Sequence, residues 1–267
     1  MLKKFVMQKQ LSVNMKTLKE YLNEDFFGNL GIGHAGKRQL IEEWLKKYSI
    51  TKYTINKDLT IDVNGDVYID KYKEDTLPDY IQFYNVKGKF VIVGANNLKS
   101  LRGCPNKCLR FVCNRCYNLT SLEGAPKECE YFNCEGCKSL QSLEGAPKEC
   151  KRFICTDCYG LTSLEGAPEI IHETLDVSSC INLKSLKGGP KIVNNFILIF
   201  CLSLESLEGA PKECDGFNCS GCDVLKTLDN CPKVNSTFIY PKSSYISKKY
   251  DKEEIKNITG AKNIHMK

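Results

Sequence analysis

Eight of the 16 cysteines stand in four Cys-x-x-Cys pairs: Cys113/Cys116, Cys134/Cys137, Cys155/Cys158 and Cys219/Cys222. One such pair following another after about 20 residues has the ligand spacing of a zinc ribbon, in which four thiolates close a tetrahedral site. A single reactive pair at a helix start would suit thiol–disulfide exchange instead. A second chemical candidate lies nearer the N-terminus. Gly31, Gly33, Gly36 and Lys37 fit both Gly-x-Gly-x-x-Gly and Gly-x-x-x-x-Gly-Lys. Loops of that kind cradle phosphate with backbone amides, reach it with the lysine and hold magnesium on a Ser or Thr. Here Arg38 takes the Ser/Thr place, and no strand-like segment precedes the glycines. A linker between two helices is therefore expected, with nucleotide binding through the 31–37 loop as the alternative. His34, His172 and His265 lie in three unrelated contexts, so neither a triad nor a histidine-based metal site is indicated.

The elements that must position these cysteines come from a repeat. Leu98, Leu119, Leu140, Leu161, Leu183, Leu204 and Leu225 recur at steps of 21, 21, 21, 22, 21 and 21 residues. A second leucine follows each after three residues. A proline column (Pro105, Pro126, Pro147, Pro168, Pro190, Pro211 and Pro232) then takes seven of the nine prolines. A fixed period of this length marks a solenoid, whose units bury their apolar faces only by stacking. In the purest copies the block after each proline reads Cys-x-x-Phe-x-Cys-x-x-Cys, as at Cys129, Phe132, Cys134 and Cys137. Phe132-x-Cys134 alternates with period two, a half-buried strand, and the Gly-x-Pro before it cannot continue a helix or a central strand. Each unit therefore holds one short strand, a turn and an extended return.

The same slots accept other residues. Unit four uses Ile171, Leu175 and Val177, and unit five uses Val193, Phe196 and Leu198. The slots want apolar volume, and free cysteine behaves as a small, buried hydrophobe. Core packing is thus the expected role of the thiols. Zinc between neighbouring pairs remains open, because adjacent strands stack about 4.8 Å apart, and disulfides remain open for an exported protein.

The pattern resembles the leucine-rich-repeat family, whose consensus is Leu-x-x-Leu-x-Leu-x-x-Asn/Cys-x-Leu. Cys129, Phe132, Cys134, Cys137 and Leu140 fall in its successive slots. The unit length and the proline resemble the short bacterial type, and LTSLEGAP is similar to leucine-rich-repeat proteins encoded by bacteriophages. The resemblance spans residues 80 to 240. It implies a leucine-rich-repeat solenoid with one short parallel β-strand per 21-residue repeat and an extended convex side. It also implies a phage or bacterial origin and a role against a host protein. Neither flank is long enough for the catalytic domain of bacterial leucine-rich-repeat ubiquitin ligases, so that activity is not expected.

A solenoid needs its ends covered. Residues 1–80 are expected to form a helical and β-hairpin N-terminal cap. Helices are predicted over 15–27 and 37–48, and a hairpin about Asn64-Gly65 in LTIDVNGDVYID. The solenoid is placed at 81–240, starting with a degenerate unit that uses Val86, Phe90, Ile92 and Ala95. A basic C-terminal cap or tail follows at 241–267, with a helix from Lys249 to Ile258.

Lys and Arg number 38 against 32 Asp and Glu, a formal net charge of +6. Residues 81–232 carry 17 of each sign, whereas the segment from Lys233 carries 8 basic and 3 acidic residues. That balance does not suggest nucleic-acid binding along the solenoid. No apolar run is long enough to span a bilayer, and the N-terminus lacks the apolar stretch of a secretory signal. The expected compartment is the cytoplasm (that of the host, if phage-encoded), where thiols stay reduced.

The outward strand positions form one column through Arg110, Tyr131, Arg152, Thr174, Asn195, Gly216 and Thr237, and another through Val112, Asn133, Ile154, Asp176, Ile197, Asn218 and Ile239. Unit five departs from the polar pattern: Ile197, Ile199 and Phe200 point outward or lie on the strand's rim. Exposed apolar patches of this kind mark interaction sites. The expected function is a non-enzymatic protein–protein interaction module without a cofactor. Its partner-binding residues are Ile197, Ile199 and Phe200, flanked by Tyr131, Lys151, Arg152, Ile154 and Asp176. A structural, virion-associated, self-assembling protein is the alternative of a different class.

Overall fold

The computed structural model describes residues 33–242 and 244–267. The helix expected over 15–27, and Gly31 of the glycine-rich loop, lie outside the described residues. The remainder is a β-solenoid built on one 12-stranded sheet, in the order β1-β2-β4-β5-β6-β7-β8-β9-β10-β11-β12, with β3 also paired to β4. From β4 (Phe83–Ile92) onward every strand lies parallel to the next one in the chain. These are β5 (Lys107–Val112), β6 (Tyr131–Asn133), β7 (Glu149–Ile154), β8 (Ile170–Asp176), β9 (Ile192–Ile197), β10 (Glu213–Asn218), β11 (Lys233–Tyr240) and β12 (Asn263–Met266). The 21-residue step of the sequence is thus one turn of the coil.

The core is layered by slot. Phe90, Phe111, Phe132 and Phe153 form one column, with ring centroids 5.8, 5.1 and 4.9 Å apart. Leu175 takes the next place, in register with Phe153 and Phe196. Phe196, Phe217 and Phe238 resume the column at 5.7 and 5.8 Å. Every leucine of the two periodic columns is buried, as is every proline of the third. The return path has its own hydrogen-bond ladder, in which the Leu122 and Leu143 amides donate to the Glu144 and Glu165 carbonyls of the next turn at 3.0 and 2.9 Å. Gly145 shows why the Gly-x-Pro corner is fixed. Its φ is +96°, and a Cβ there would fall 2.4 Å from the Leu122 carbonyl oxygen.

At the N-terminal end, α1 (His34–Lys47) buries Ile41, Trp44 and Leu45, and Trp44 meets Phe83 edge-on at 6.1 Å. The helix starts three residues before the predicted Lys37. Gly36 and Lys37 therefore sit in its first turn, their amides donating to the Gly33 carbonyl at 2.9 and 3.2 Å, not in a linker.

The hairpin about Asn64-Gly65 is not formed. β2 (Ile61–Val63) and β3 (Val67–Ile69) do not pair with each other; both run parallel to β4 along the same edge. Side-chain parity explains the correction. A two-residue turn there would set Val67 and Ile69 on the opposite face from Ile61 and Val63. Running on, the chain keeps all four on one face, where each is buried. The hairpin forms one step earlier, between β1 (Tyr53–Ile55) and β2.

The C-terminal segment extends the sheet. After α2 (Tyr245–Lys249) and α3 (Lys252–Thr259), β12 pairs with β11. Asp251 and Glu254 close a capping box at the start of α3, and Gly260, at φ 71°, ends it. The helix expected from Lys249 to Ile258 is therefore split in two by Tyr250 and Asp251. No helix among the described residues is long and apolar enough to cross a membrane.

Candidate functional site

The cysteines come first, because their placement decides what chemistry they can do. None is disulfide-bonded, and all are buried except Cys231, which is half-buried. One set forms a ladder across turns. The Cys137 thiol donates to the Cys113 carbonyl at 3.1 Å, Cys158 to Cys134 at 3.3 Å, Cys180 to Cys155 at 3.2 Å, Cys201 to Val177 at 3.4 Å and Cys222 to Leu198 at 3.0 Å. Each thiol thus ties the turn after one strand to the backbone of the preceding coil. Among the described residues no group of three or more His, Cys, Asp and Glu is arranged around a metal position. Burial pushes the Cys108, Cys150 and Cys214 thiols up to about 12, so the thiolate needed for attack or ligation is disfavoured.

The outer strand face has a repeating profile. In β7, Cys150 and Phe153 are buried, Lys151 and Arg152 between them are exposed, and Ile154 is half-buried. The Lys151 and Arg152 amides both donate to the Glu130 carbonyl, at 2.9 and 3.0 Å, which kinks the strand there. Two consecutive residues thus face outward between the buried pair in β5, β7, β9 and β10, and three in β8 and β11, where a flat strand would show one.

The residues singled out from sequence fall into two groups. Tyr131, Lys151 and Arg152 lie on β6 and β7, with Tyr131 directly opposite Arg152. The Arg110 guanidinium covers the Tyr131 ring at 5.6 Å. Lys151 pairs with Glu130 at 2.8 Å, and Arg152 with Glu173 at 2.5 Å. Ile154, Asp176 and Ile197 stand in one register across β7, β8 and β9. Asp176 has a structural task there, since its carboxylate accepts from the Ser178 amide at 2.9 Å and hydroxyl at 2.6 Å and closes the turn after β8. Asn218 does the same for Ser220.

Ile199 and Phe200 lie beyond the end of β9, in the turn, not on the strand face. Phe200 is 57% exposed, with φ +58°. The equivalent turn positions are Arg115, Gly136, Asp157, Ser179 and Gly221, all at positive φ. Phe200 is the one aromatic among them. Leu202, 49% exposed, follows two residues later, after the buried Cys201. Further along the same edge the Lys138 ammonium sits 5.3 Å from the rings of both Tyr117 and Tyr159. From β6 to β9 is three strand spacings, about 14 Å, so the polar flank and Phe200 are separate patches of one surface.

Sequence reasoning missed the groove beside the polar flank. A depression of about 750 Å³ crosses β4 to β8 at their N-terminal ends. Cys108, Cys129, Cys150 and Leu109 line it, together with lysines and glutamates. Its signal was present in the Lys-Glu-Cys that follows Pro126 and Pro147. Those residues repeat, and repetition hid them among the scaffold.

From Gly33 on, the glycine-rich segment lies at the start of α1. His34 Nε2 lies 2.7 Å from the Lys57 carbonyl, and Arg38 reaches the Ile55 carbonyl at 3.3 Å, so both hold α1 to the hairpin. Compared with protein-family models, with curated proteins and with solved structures, the chain matches none.

Proposed function

We propose that this chain is a leucine-rich-repeat module that acts without catalysis, by rigid display of side chains to a protein partner. Its helix-bearing N-terminal segment serves as the cap of the coil. The observation that carries the reading is Phe200. A bulky residue at positive φ costs about 1–2 kcal/mol, and this one leaves its ring mostly in water. Four equivalent turns solve the same position with Gly, Ser or Asp. An exposed aromatic kept at a strained position is a feature of recognition, since folding does not call for it. Ile197 and Ile199 flank it, and Tyr131, Lys151, Arg152 and Ile154 supply a polar and half-buried surround across the strands. Asp176 sets the turn between the two patches.

The sequence resemblance supports a bacteriophage factor acting on a host protein in the host cytoplasm. The test is parallel affinity capture from bacterial lysate on wild-type protein and on Phe200→Gly. A partner retained by the wild type and lost from the variant supports the reading. Equal capture by both, with an unchanged fold, overturns it.

A further inference from the structure

The groove across β4 to β8 carries an imbalance of charge that the rest of the solenoid lacks. Lys87, Lys107, Lys127, Lys148 and Lys151 line it, against Glu128, Glu130 and Glu149. The three carboxylates are already engaged: Glu128 with Lys107 at 2.6 Å, Glu130 with Lys151 at 2.8 Å and Glu149 with His172 at 2.6 Å. Lys87, Lys127 and Lys148 make no ion pair among the described residues, and all three are exposed. Lys127 and Lys148 hold the same place in consecutive turns, one strand spacing apart, about 4.8 Å. Between the lysines the floor is apolar: Leu109 is 44% exposed, and the buried thiols of Cys108, Cys129 and Cys150 lie beneath.

We propose that this groove binds an extended, acidic peptide segment of a partner protein, with carboxylates on Lys87, Lys127 and Lys148 and apolar side chains on Leu109 and the thiol floor. Four strand spacings give it a length of about 19 Å, which about six extended residues fill. In an extended segment alternate side chains face opposite ways, so acidic and apolar residues in alternation match a lysine rim beside an apolar floor. A nucleic-acid strand fits less well, because it carries a phosphate at every nucleotide and offers no apolar side chain to Leu109 and the thiol floor between the lysines. The proposal rests on the binding-module reading for its class of partner, and it is independent of Phe200.

The test uses a fluorescein-labelled hexapeptide of alternating Glu and Leu, titrated with the full chain at low ionic strength and followed by anisotropy. Two charge-matched double variants are compared: K127E/K148E in the groove and K184E/K187E on the return path. Binding weakened about tenfold or more by the first and changed less than about twofold by the second is the expected result. Equal loss in both variants would reduce the interaction to bulk charge and overturn the site. No binding by the wild type, or tighter binding of a six-nucleotide single-stranded RNA, would also overturn it. Circular dichroism on both variants confirms that exposed side chains alone were changed, and K127A/K148A repeats the comparison without added negative charge. Phe200→Gly leaves peptide binding intact, so failure of the groove and failure of the Phe200 reading are distinguishable.

Discussion

The ring of Phe200 lies across the α-carbon of Gly221, so closely that a Cβ on Gly221 would fall 2.3 Å from ring atom Cδ1. A side chain at Gly221 would push the ring off its seat, and glycine there lets the aromatic lie along the turn edge. Phe200 is thus seated on the Gly221 backbone on one side while its outer face stays in solvent.

Phe200→Gly should not destabilise the fold. It removes an unfavourable positive φ, worth about 1–2 kcal/mol, and gives up only partial ring packing. The urea midpoint is expected to equal or exceed that of the wild type while partner capture is lost. A drop of more than about 1 kcal/mol would mean that the ring is part of the scaffold.

Cysteines in different slots should respond differently to replacement. Cys137→Ala leaves the Cys113 carbonyl buried without its donor, a loss of about 1–3 kcal/mol. Cys137→Ser keeps a donor and should recover part of it. Cys129→Val costs less than about 1.5 kcal/mol, since Val193 fills the same slot in unit five. Chemical denaturation of the three variants orders them, and equal losses at the two cysteines would contradict the ladder.

Stability should fall in alkali. Thiols free in the unfolded chain ionise near 9, whereas burial holds Cys108, Cys150 and Cys214 up to about 12 in the fold. Desolvation raises Cys104, Cys129 and Cys231 as well. Folded pKa values above unfolded ones mean that the contribution is full below pH 9 and is lost as pH rises toward 12. Each thiol contributes a slope of about 1.4 kcal/mol per pH unit in that window. Thermal midpoints measured from pH 7 to 11 should stay level, then drop steeply; a level profile throughout would show that the thiols are accessible to solvent in the native state.

Gly145→Ala should cost about 2–3 kcal/mol or more, because both its φ and its approach to the Leu122 carbonyl exclude a side chain. Gly33→Ala, at an ordinary φ and with nothing among the described residues within 4 Å of the added carbon, serves as the control and should lose only the N-cap preference, less than about 1 kcal/mol. Differential scanning calorimetry on the pair decides it.

The slots of the coil could be read from the chain because a period of 21 residues leaves one register in which Cys, Phe and Leu columns all align. The exchange of Cys for Val or Ile in units four and five marks the inward thiols as packing residues, and all of them are buried. Asn64-Gly65 misled because turn propensity is local, whereas the parity that keeps Ile61 and Ile69 on one face is a property of the whole segment. β12 was missed because four residues with a single buried side chain, Ile264, carry no readable alternation. At the candidate surface, the register of Ile154, Asp176 and Ile197 followed from counting. The position of Phe200 past the strand end did not, since it depends on where each turn enters the left-handed region. The groove escaped because its charges belong to the repeated text, and only the pairing of neighbours across strands shows which lysines are left over.

The aromatic column breaks at Leu175, and the same turn carries the extra residue of the 22-residue step. Its extra residue falls between Ile171 and Thr174, against Cys150 to Arg152 of β7 on one side and Val193 to Asn195 of β9 on the other. In a coil where each turn is held only by its neighbours, such a place is a seam. Stretched from its two ends, the molecule should part there first, into an N-terminal block that keeps the lysine groove and a C-terminal block that keeps Phe200.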